Sequence, residues 1–321
     1  MASGPFSSLT AKAFRLNSSL LAIQLINGLQ FGMMLFLFAA GLTLVFGIMD
    51  VVNLSHASFF MVGAYAGSVM AKATGSFFLA VPLSLAVTAL VALLIEVVVM
   101  RRLYRLGHLD HVLATFGLIL IFDAGFLWWF GPDGLQINLP TSLRGRTSLG
   151  LIEIPTYRLL FIGIGLAVAL GLSLLIARTR LGMLVRAAAS DRQTAELMGI
   201  EPKRVFLVVF VLGSILAGLA GMLLTGITEA SVGMGEEVII VAFVIIVIGG
   251  IGSLKGAFIA SLMVGLIDTF GRTYLGDLFR LVMQPAIADG AAPAIASMLT
   301  YLTMALVLAL KPQGLFPPVT R

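Results

Sequence analysis

The stretch GIMDVVNLSHASFFMVGAY, residues 47–65, places polar groups in an otherwise apolar part of the chain. An asparagine amide, a serine hydroxyl and a histidine imidazole can hydrogen-bond backbone groups that are freed where a membrane helix breaks. The same groups can contact a solute that passes through the bundle. Both interpretations, support of a broken helix and part of a translocation path, rest on the same candidate residues: Asn53, Ser55, His56, Gly47 and Gly63.

A second glycine-rich interruption lies near the other end of the chain, in GGIGSLKG at 249–256. The spacing of sixteen residues from Gly47 to Gly63 recurs from Gly249 to Gly265, and Met-Val-Gly closes both stretches. Short, glycine-interrupted apolar segments at corresponding places in two halves point to the central site of a transporter. They add three candidate residues: Gly249, Gly250 and Gly252.

Most enzyme chemistry is disfavoured by the residue types present. Cysteine is absent, which excludes disulfides, thiolate metal ligands and cysteine nucleophiles. GIGSLKGA lacks the Gly-Lys-Ser/Thr ending of a phosphate-binding loop, so the chain carries no nucleotide site of that kind and no cofactor is expected. No metal site is predicted either, and His108 and His111, on either side of Asp110, are interpreted as solvated loop residues.

Several acidic residues lie in or beside apolar segments, where ionisable side chains usually face the bundle or a cavity. Glu96 is expected to pair with Arg101, about one turn away, and Asp123 to serve as a structural hydrogen-bonding group. Asp268 is left unassigned. Three further acids flank an outer loop and are interpreted as solvated, or as contacts for the basic patch of a partner: Glu229, Glu236 and Glu237.

Composition defines the fold class. The 321 residues are 60% hydrophobic and only 11% charged, with a mean hydropathy of +1.09, whereas soluble domains carry about 25% charged residues. Segments of about 20 apolar residues span a bilayer. We therefore predict an all-α polytopic membrane protein with eight or nine transmembrane helices, some short or broken. The charge-poor segments lie near 20–46, 57–71, 77–100, 111–130, 159–177, 205–225, 238–250, 256–270 and 294–310, of which 238–250 and 256–270 are too short to cross alone.

Basic residues predict the orientation of the chain. RRLYRLGH (101–108) and the stretch 178–204 hold nine of the twenty Lys and Arg residues, and two apolar segments separate them. By the positive-inside rule both clusters are cytoplasmic, which places the C-terminus inside and the N-terminus outside. The net charge of +5 lies beside apolar segments and does not indicate nucleic acid. The predicted parts are a polar tail (1–19), one transmembrane domain (20–310) with a periplasmic loop (131–158) and a cytoplasmic loop (178–204), and a cytoplasmic C-terminal tail (311–321).

The cytoplasmic stretch RTRLGMLVRAAASDRQTAELMGIEPKR predicts two short helices. Ser190 followed by Gln193 matches a capping box and predicts a helix start at Asp191. Gly199 fits a left-handed helix end, with Pro202 just beyond. Small residues flanked by charges favour docking into a groove of another protein, and a basic segment lying on membrane lipid is the alternative. The candidate docking residues are Arg186, Ala188, Ser190, Asp191, Gln193, Glu196 and Gly199.

Four motifs, in this order, resemble the branched-chain amino acid ABC permease family, and most closely its LivH-type subunit. They are GLTLVFGIMDVVNLSHASFFMVGAY, RAAASDRQTAELMGI, VIGGIGSLKGAFIASLMVGLI and KPQGLF, and the resemblance covers the chain from about Asn27 to Phe316. The family's N-F-A-H-G pattern reads Asn-Leu-Ser-His-Ala at 53–57, with Ala57 in place of the glycine.

The resemblance implies one half of a membrane heterodimer in the bacterial inner membrane. The implied partners are a LivM-type permease, two cytoplasmic ATP-binding subunits and a periplasmic solute-binding protein. Residues 181–199 would be the coupling helices that sit in a groove of the ATPase. The implied function is inward transport of a small amino-acid-like solute, driven by ATP hydrolysis in the partner subunits, with no covalent chemistry in this chain.

Other functions are weighed against this one. A ribose-type sugar ABC permease is the nearest, because no aromatic platform in the sequence separates sugars from amino acids. An ion-coupled secondary transporter normally shows a paired acid–base relay inside its spans, whereas only scattered acids appear here. A membrane enzyme has no catalytic cluster to support it. The sequence does not specify the solute, or whether the second permease is a different chain or a second copy.

Overall fold

The computed structural model describes residues 18–49, 51–104, 106–149 and 152–316, and most of them are helical. The expected polar tail lies outside the described residues except for Ser18 and Ser19, which begin the first helix. The helices are α1 (Ser18–Met49), α2 (His56–Thr74), α3 (Phe77–Leu103), α4 (His108–Phe130), α5 (Thr156–Arg178), α6 (Arg180–Ser190), α7 (Arg192–Leu197), α8 (Pro202–Leu224), α9 (Met234–Gly249), α10 (Leu254–Phe279) and α11 (Pro285–Leu310).

Seven helices of the described chain are long and apolar enough to cross a membrane, namely α1, α3, α4, α5, α8, α10 and α11. The helices α2 and α9, with 19 and 16 residues, do not meet that standard. The fold is therefore the all-α polytopic one that the composition predicts. The prediction that 256–270 is too short to cross is wrong, because α10 has 26 residues. Asp268 and Arg272 pair along its own surface, so these polar positions do not end the helix.

The helix α1 forms the centre of the bundle. Its residues 32–45 are all buried, because α5, α8, α9 and α10 surround it. Aromatic side chains fill the contacts: the ring of Phe36 lies edge-on to Phe258 of α10 at 5.1 Å, and Phe38 lies edge-on to Phe60 of α2 at 5.5 Å. A helix that is apolar all round is one that is buried all round.

Glycines let the helix backbones touch. A Cβ on Gly41 of α1, Gly63 of α2 or Gly221 of α8 would overlap the backbone of a neighbouring helix. Of the two stripes of small residues in the sequence, the one at 252–260 packs in this way, since Gly256 lies against Gly249. The other stripe faces outward and packs against nothing in the described chain: Gly163, Ala167 and Gly171 of α5.

The bundle has two chemically different ends. The connection from α3 to α4 and the connection from α5 to α8, which contains α6 and α7, lie at the same end of the bundle. This end carries the arginines of 101–108 and 178–204, and we call it the basic end. At the opposite end, the expected loop 131–158 contains a helical turn (Thr141–Arg144) and an antiparallel hairpin, β1 (Arg146–Leu149) with β2 (Ile152–Pro155). The loop is joined to the α8–α9 connection by a bridge between Leu135 and Ala230.

Near the basic end, α3 contains a π-helical turn at Glu96–Met100 that brings the Glu96 carboxylate to its partners. Arg101 Nε lies 3.1 Å from Glu96 Oε2, and the Tyr104 hydroxyl donates to Glu96 Oε1 at 3.3 Å. The ion pair expected from the sequence therefore forms, with the Glu96 side chain fully buried and the Arg101 side chain 40% exposed.

We predict opposite effects for two glycine-to-alanine changes. Alanine is more favourable than glycine in a helix by about 1 kcal/mol, so Gly163→Ala, which meets nothing within 4 Å, should leave the melting temperature of the detergent-solubilised protein unchanged or raise it. Gly63→Ala forces a methyl group into the backbone of Gly218 and should destabilise by about 1–3 kcal/mol. Equal melting temperatures for the two variants would show that the α2–α8 contact is not as close as described.

Candidate functional site

The helices α2 and α9 begin inside the bundle and not at either end. His56, the first residue of α2, packs against Phe38 and beside Gly41 of α1. Phe38 lies eleven residues before the end of α1, which is about 16 Å at about 1.5 Å per residue. The first turn of α9 lies at the same level, because a Cβ on Gly235 would overlap the backbone of Ala57. The N-termini of the two short helices therefore meet in the interior.

The polar residues before α2 make hydrogen bonds that differ from the predicted ones. Asn53 and Ser55 were expected to bind freed backbone groups, but Ser55 Oγ donates to Asn53 Oδ1 at 2.6 Å. The freed N–H of Leu54 is instead bound by Thr115 Oγ1 of α4, at 3.2 Å. A hydroxyl on a neighbouring helix is better placed to accept this N–H than the side chains within so short a turn.

His56 binds a backbone carbonyl of another helix. Its Nε2 lies 3.2 Å from the carbonyl oxygen of Phe38, and its ring stands edge-on to the Phe38 ring with centroids 4.9 Å apart. His56 and Asn53 are fully buried, and His56 Nδ1 and Asn53 Nδ2 have no hydrogen-bond partner within the described residues. An unpaired buried polar group costs about 1–3 kcal/mol.

The second interruption lies at 249–253, between α9 and α10. Gly250 and Gly252 have φ of +100° and +79°, a backbone region that favours glycine. Ser253 Oγ accepts from the N–H of Gly256 at 3.1 Å and caps α10. The end of the described chain closes the break from outside: the N–H groups of Leu315 and Phe316 donate to the carbonyls of residues 248 and 249, at 2.8 and 3.0 Å.

The eight candidate residues of the two interruptions do not converge on one point. Gly47 touches Gly252, so the end of α1 lies against the second break, where Gly249 and Gly250 also lie. Asn53, Ser55 and His56 form a separate cluster, about 14 Å further along α1 by helix rise. Gly63 lies elsewhere again, against Gly218 of α8.

A large cavity lies between α1, α9, α10, α11 and the α8–α9 connection, and none of the eight candidates lines it. Its volume is about 940 Å³, within the range of small-molecule sites. Its floor is apolar, with Phe31, Met34 and Leu35 from α1. Its ionisable residues are Glu229, Glu236, Glu237, Asp268 and Arg272.

Sequence reasoning missed this cavity because its ionisable residues come from separate parts of the chain. Glu229, Glu236 and Glu237 were assigned to a solvated loop and Asp268 to no role. In the structure Arg272 Nε lies 2.7 Å from Asp268 Oδ2, and Arg272 Nη2 lies 3.2 Å from the hydroxyl of Ser297 on α11. The available signal was the spacing of Asp268 and Arg272, four residues apart in an apolar helix.

Glu236 also lines a second, much smaller cavity, with Asp123 of α4 and Ser58 of α2. Asp123 and Glu236 line this space together, so the interpretation of Asp123 as a hydrogen-bonding group is compatible with its position. The description of the acids as scattered is wrong for this pair. The sequence does not show that the start of α9 lies beside the middle of α4.

The histidines near the basic end differ in their environment. His108 is exposed, as expected, but His111 is buried in α4, where its Nε2 lies 2.7 Å from the carbonyl oxygen of Leu103. The interpretation of His111 as a solvated residue is therefore wrong, because α4 begins before it. No group of His, Asp and Glu residues able to hold a metal ion is found in the part of the chain that the structure describes.

At the basic end, α6 is held firmly against α5. A Cβ on Gly182 would overlap the backbone of Ile176, and Arg186 Nη1 donates to the Ile176 carbonyl. Thr179 Oγ1 caps α6 by accepting from the N–H of Gly182 at 3.2 Å. Arg186, a candidate docking residue, therefore binds a carbonyl in the last turn of α5 instead of standing free for a partner.

The helix α7 begins and ends with defined caps. Ser190 is the last residue of α6, and Asp191 caps α7 by accepting from the N–H of Thr194 at 3.1 Å, so the predicted cap is wrong by one residue. At the other end Gly199 has φ +84°, and the N–H groups of Gly199 and Ile200 donate to the carbonyls of Glu196 and Ala195, each at 3.0 Å. This is a Schellman ending.

The remaining docking candidates face in different directions. Ala188 is buried against the bundle, whereas Ser190, Asp191, Glu196 and Gly199 are exposed; the side chain of Gln193 lies outside the described part. Two residues that were not candidates are the most prominent apolar groups of this segment: Leu197 is 89% exposed and Met198 79%. The signal for them in the sequence was two apolar residues placed directly before the glycine that ends α7.

The model of a protein family described as "branched-chain amino acid transport system / permease component" matches residues 24–308. The chain is 31% identical over 276 residues to the high-affinity branched-chain amino acid transport system permease protein BraD of Pseudomonas aeruginosa, which covers 81% of this chain and 89% of that protein. It is 27% identical over 281 residues to the corresponding permease protein LivH of Escherichia coli, covering 82% and 90%. The D-allose permease protein AlsC of E. coli is 37% identical over 110 residues, covering 32% and 34%. No solved structure matches.

The chain belongs to the branched-chain amino acid permease family. It is a multi-pass membrane protein of that family, as its motifs and apolar helices together require. At the family's N-F-A-H-G pattern, Ala57 replaces the glycine, yet the two backbones still lie close together. The glycine at this contact is Gly235 of α9, on the opposite side.

We predict that Asn53→Ala and His56→Ala act on stability. A hydrogen bond lost in a membrane bundle costs about 0.6 kcal/mol on average and rarely more than about 1.7. Asn53→Ala should therefore lower the melting temperature modestly, and His56→Ala more, because it also empties the space of a fully buried ring. Uptake of different solutes should fall alike.

Thr43→Val is the matched control, since the buried Thr43 hydroxyl has no partner within the described residues and its loss should cost little. A variant Asn53→Ala that is as stable as wild type but changes solute preference would contradict the structural role.

Proposed function

We propose that this chain is the transmembrane permease subunit of an ATP-driven ABC importer that moves a small amino-acid-like solute inward across a bacterial inner membrane. The observation that carries the proposal is the pair α6 and α7, a folded and exposed segment between two spans of a family member. Leu197 and Met198 at its tip offer apolar side chains to a groove. The relatives that cover most of the chain are named as branched-chain amino acid permeases, whereas AlsC covers only a third of it.

The orientation that we propose follows from the basic end. The arginines of 101–108 and 178–204 lie together there, and the positive-inside rule makes that end cytoplasmic. The end of the described chain also lies there, because Leu315 and Phe316 bind the α9–α10 break. The cavity between α1, α9, α10 and α11 then opens toward the periplasmic half.

The proposed partners follow from the lack of a phosphate-binding loop in the sequence and from the exposure of α6 and α7. Its sequence has no phosphate-binding loop, so ATP hydrolysis belongs to two cytoplasmic subunits, one of which docks on α6 and α7. A second permease of the LivM type would complete the path, and a periplasmic binding protein would deliver the solute. The candidate residues of the two interruptions support the broken helices at the centre of this path.

Movement of the docked segment has a direct route to the broken helices. Arg186 and Gly182 fix α6 to the end of α5, and Pro202 begins α8 only three residues after the Gly199 turn. Helix α8 in turn touches α2 backbone to backbone, at Gly218 with Gly63. Because close-packed helices do not deform continuously, a shift of α8 is transmitted to α2.

The first test is the source of energy. In liposomes the chain alone should neither hydrolyse ATP nor accumulate radiolabelled L-leucine. The complex with its partner subunits should accumulate L-leucine only when ATP is present, and this uptake should continue after the proton gradient is collapsed. Uptake by the lone chain under a pH gradient would overturn the proposal in favour of a secondary transporter, for which the pair of Asp123 and Glu236 would be the first residues to examine.

The second test uses Gly199→Val. A side chain at φ +84° costs about 1–2 kcal/mol, so the turn after α7 should distort, ATPase co-purification should weaken and uptake should stop. Gly75→Val is the matched control, because Gly75 ends α2 at the opposite end with φ +66° and equally open surroundings. It should lower the melting temperature similarly and leave ATPase binding intact. Equal ATPase binding by both variants would show that α7 is not the coupling element.

A further inference from the structure

Helix α4 stands at the edge of the bundle, and two of its four buried residues are polar. They are His111 and Thr115, one turn apart, and Leu118 and Ile119 continue the same face. Polar side chains of a membrane helix that face the bundle usually find partners on other helices. Both residues do so here, and the transport function proposed above assigns no role to His111.

The two polar residues form a chain of hydrogen bonds that joins α3, α4 and the break before α2. His111 Nε2 donates to the carbonyl oxygen of Leu103, the last residue of α3, at 2.7 Å. The Thr115 hydroxyl donates to the carbonyl of His111 at 2.7 Å and accepts from the N–H of Leu54 at 3.2 Å. Because a carbonyl only accepts, Nε2 carries the proton of the imidazole, and Nδ1 has no partner within the described residues. The position of α4 along α3 and the closure of the break are therefore set by adjoining bonds.

The corner after α3 is in turn fixed to the start of α8. The ring of Tyr104, directly after α3, lies edge-on to Phe206 with centroids 5.5 Å apart, and its hydroxyl donates to Glu96 at 3.3 Å. Glu96 opens the π-helical turn of α3, and such turns recur at functional sites. Phe206 is the fifth residue of α8, which begins three residues after the Gly199 turn. The contacts thus run from the segment of α6 and α7 to the break before α2.

These hydrogen bonds matter because lipid does not fix the level of a helix. Apolar side chains of α4 such as Leu113, Leu120 and Ile121 are exposed, and they meet equally apolar surroundings at every level of the hydrocarbon. Hydrogen bonds are short and directional, so a displacement of about 1 Å weakens them strongly. The imidazole therefore sets the level of α4, and with it the level of the Thr115 hydroxyl.

We propose that His111 is a positioning residue of transport. It holds α4 at the level where Thr115 closes the break before α2, and it links that break to α8 and to the segment that docks the ATPase. A shift of α8 that reaches the end of α3 through Phe206 then moves α4 as well, in addition to the direct contact of α8 with α2. The inference deepens the proposed function and rests on it for the part that concerns transport.

The test depends on which ring nitrogen of His111 is replaced. His111→Gln keeps an N–H donor near the position of Nε2, whereas His111→Asn keeps one near the position of Nδ1, which binds nothing in the described chain. Both variants leave a neutral polar side chain, so a difference between them reports the contact with Leu103. Thr303→Val is the control, because the Thr303 hydroxyl donates to the carbonyl of Leu299 in its own helix.

The first measurement is hydrogen exchange at the Leu54 N–H in the full-length protein in lipid nanodiscs. His111→Asn should speed this exchange about threefold, which is the effect of losing one average hydrogen bond in a membrane bundle. His111→Gln and Thr303→Val should exchange like wild type. Thr115→Val should exchange faster than wild type, and adding His111→Asn to it should change nothing further, since both act through the same hydroxyl.

The second measurement is the amount of L-leucine accumulated per ATP hydrolysed by the complete transporter in liposomes. His111→Asn should lower this ratio about threefold and leave ATPase co-purification intact, because α6 and α7 are unchanged. His111→Gln and Thr303→Val should keep the wild-type ratio. A histidine that served only to stabilise the fold would change the melting temperature of the complex but not this ratio.

The inference is wrong if His111→Gln and His111→Asn exchange alike at Leu54, or if the ratio stays at the wild-type value when exchange rises. It is also wrong if His111→Gln does not fold, because a donor near the position of Nε2 should suffice. Should only His111→Asn fail to fold, Thr115→Val takes its place, and a wild-type ratio for that variant overturns the inference.

Failure here is distinguishable from failure of the proposed function. If wild type accumulates L-leucine only with ATP and the variants differ in neither measurement, the importer stands and His111 does not position the break. If wild type accumulates L-leucine without ATP, the importer proposal falls together with the role in transport, and exchange at Leu54 still shows whether His111 positions the break.

Discussion

Every backbone polar group in this bundle must find a partner inside the protein, and the two interrupted helices are where that requirement is hardest to meet. At the first interruption, a threonine hydroxyl of α4 binds the N–H of Leu54. At the second, two backbone N–H groups from the end of the described chain bind the carbonyls of Ile248 and Gly249. Both partners come from distant parts of the sequence. The broken helices therefore exist only in the assembled bundle, and their geometry depends on α4 and on the residues after α11.

Close backbone contact is what makes these distant partners available. Lipid supplies no hydrophobic force between helices, so association depends on packing and on small residues that let backbones approach. Gly41, Gly63 and Gly221 sit at crossings where a methyl group would overlap a neighbouring backbone. The outward stripe at Gly163 shows the limit of this rule, because the same spacing there meets nothing in the described chain. Small residues allow close packing, but the neighbours decide whether it occurs.

The sequence predicted the features that depend on local chemistry. Apolar segments, the pair of Glu96 with Arg101 and the glycine after α7 can all be inferred within a few residues of the chain. The predictions fail where a contact from a distant part of the chain replaces the expected local one. Asn53 and Ser55 bind each other because Thr115 already satisfies the backbone, and His111 is buried because α4 begins earlier than expected. The large cavity could not be predicted from the sequence, because its charged residues come together only when α9, α10 and α11 pack against each other.

The close contact of Ala57 in α2 with Gly235 in α9 places the starts of two helices together in the interior of the bundle. A helix that starts in the interior needs partners from neighbouring elements for the N–H groups of its first turn, because no water reaches them. Glu236 lies one residue beyond Gly235 and lines the large cavity, so a carboxylate stands directly beside this meeting point. Helix α8 touches α2 directly at Gly63 and Gly218 and is joined through the Gly199 turn to α7, so packed helices connect this interior meeting point with the basic end.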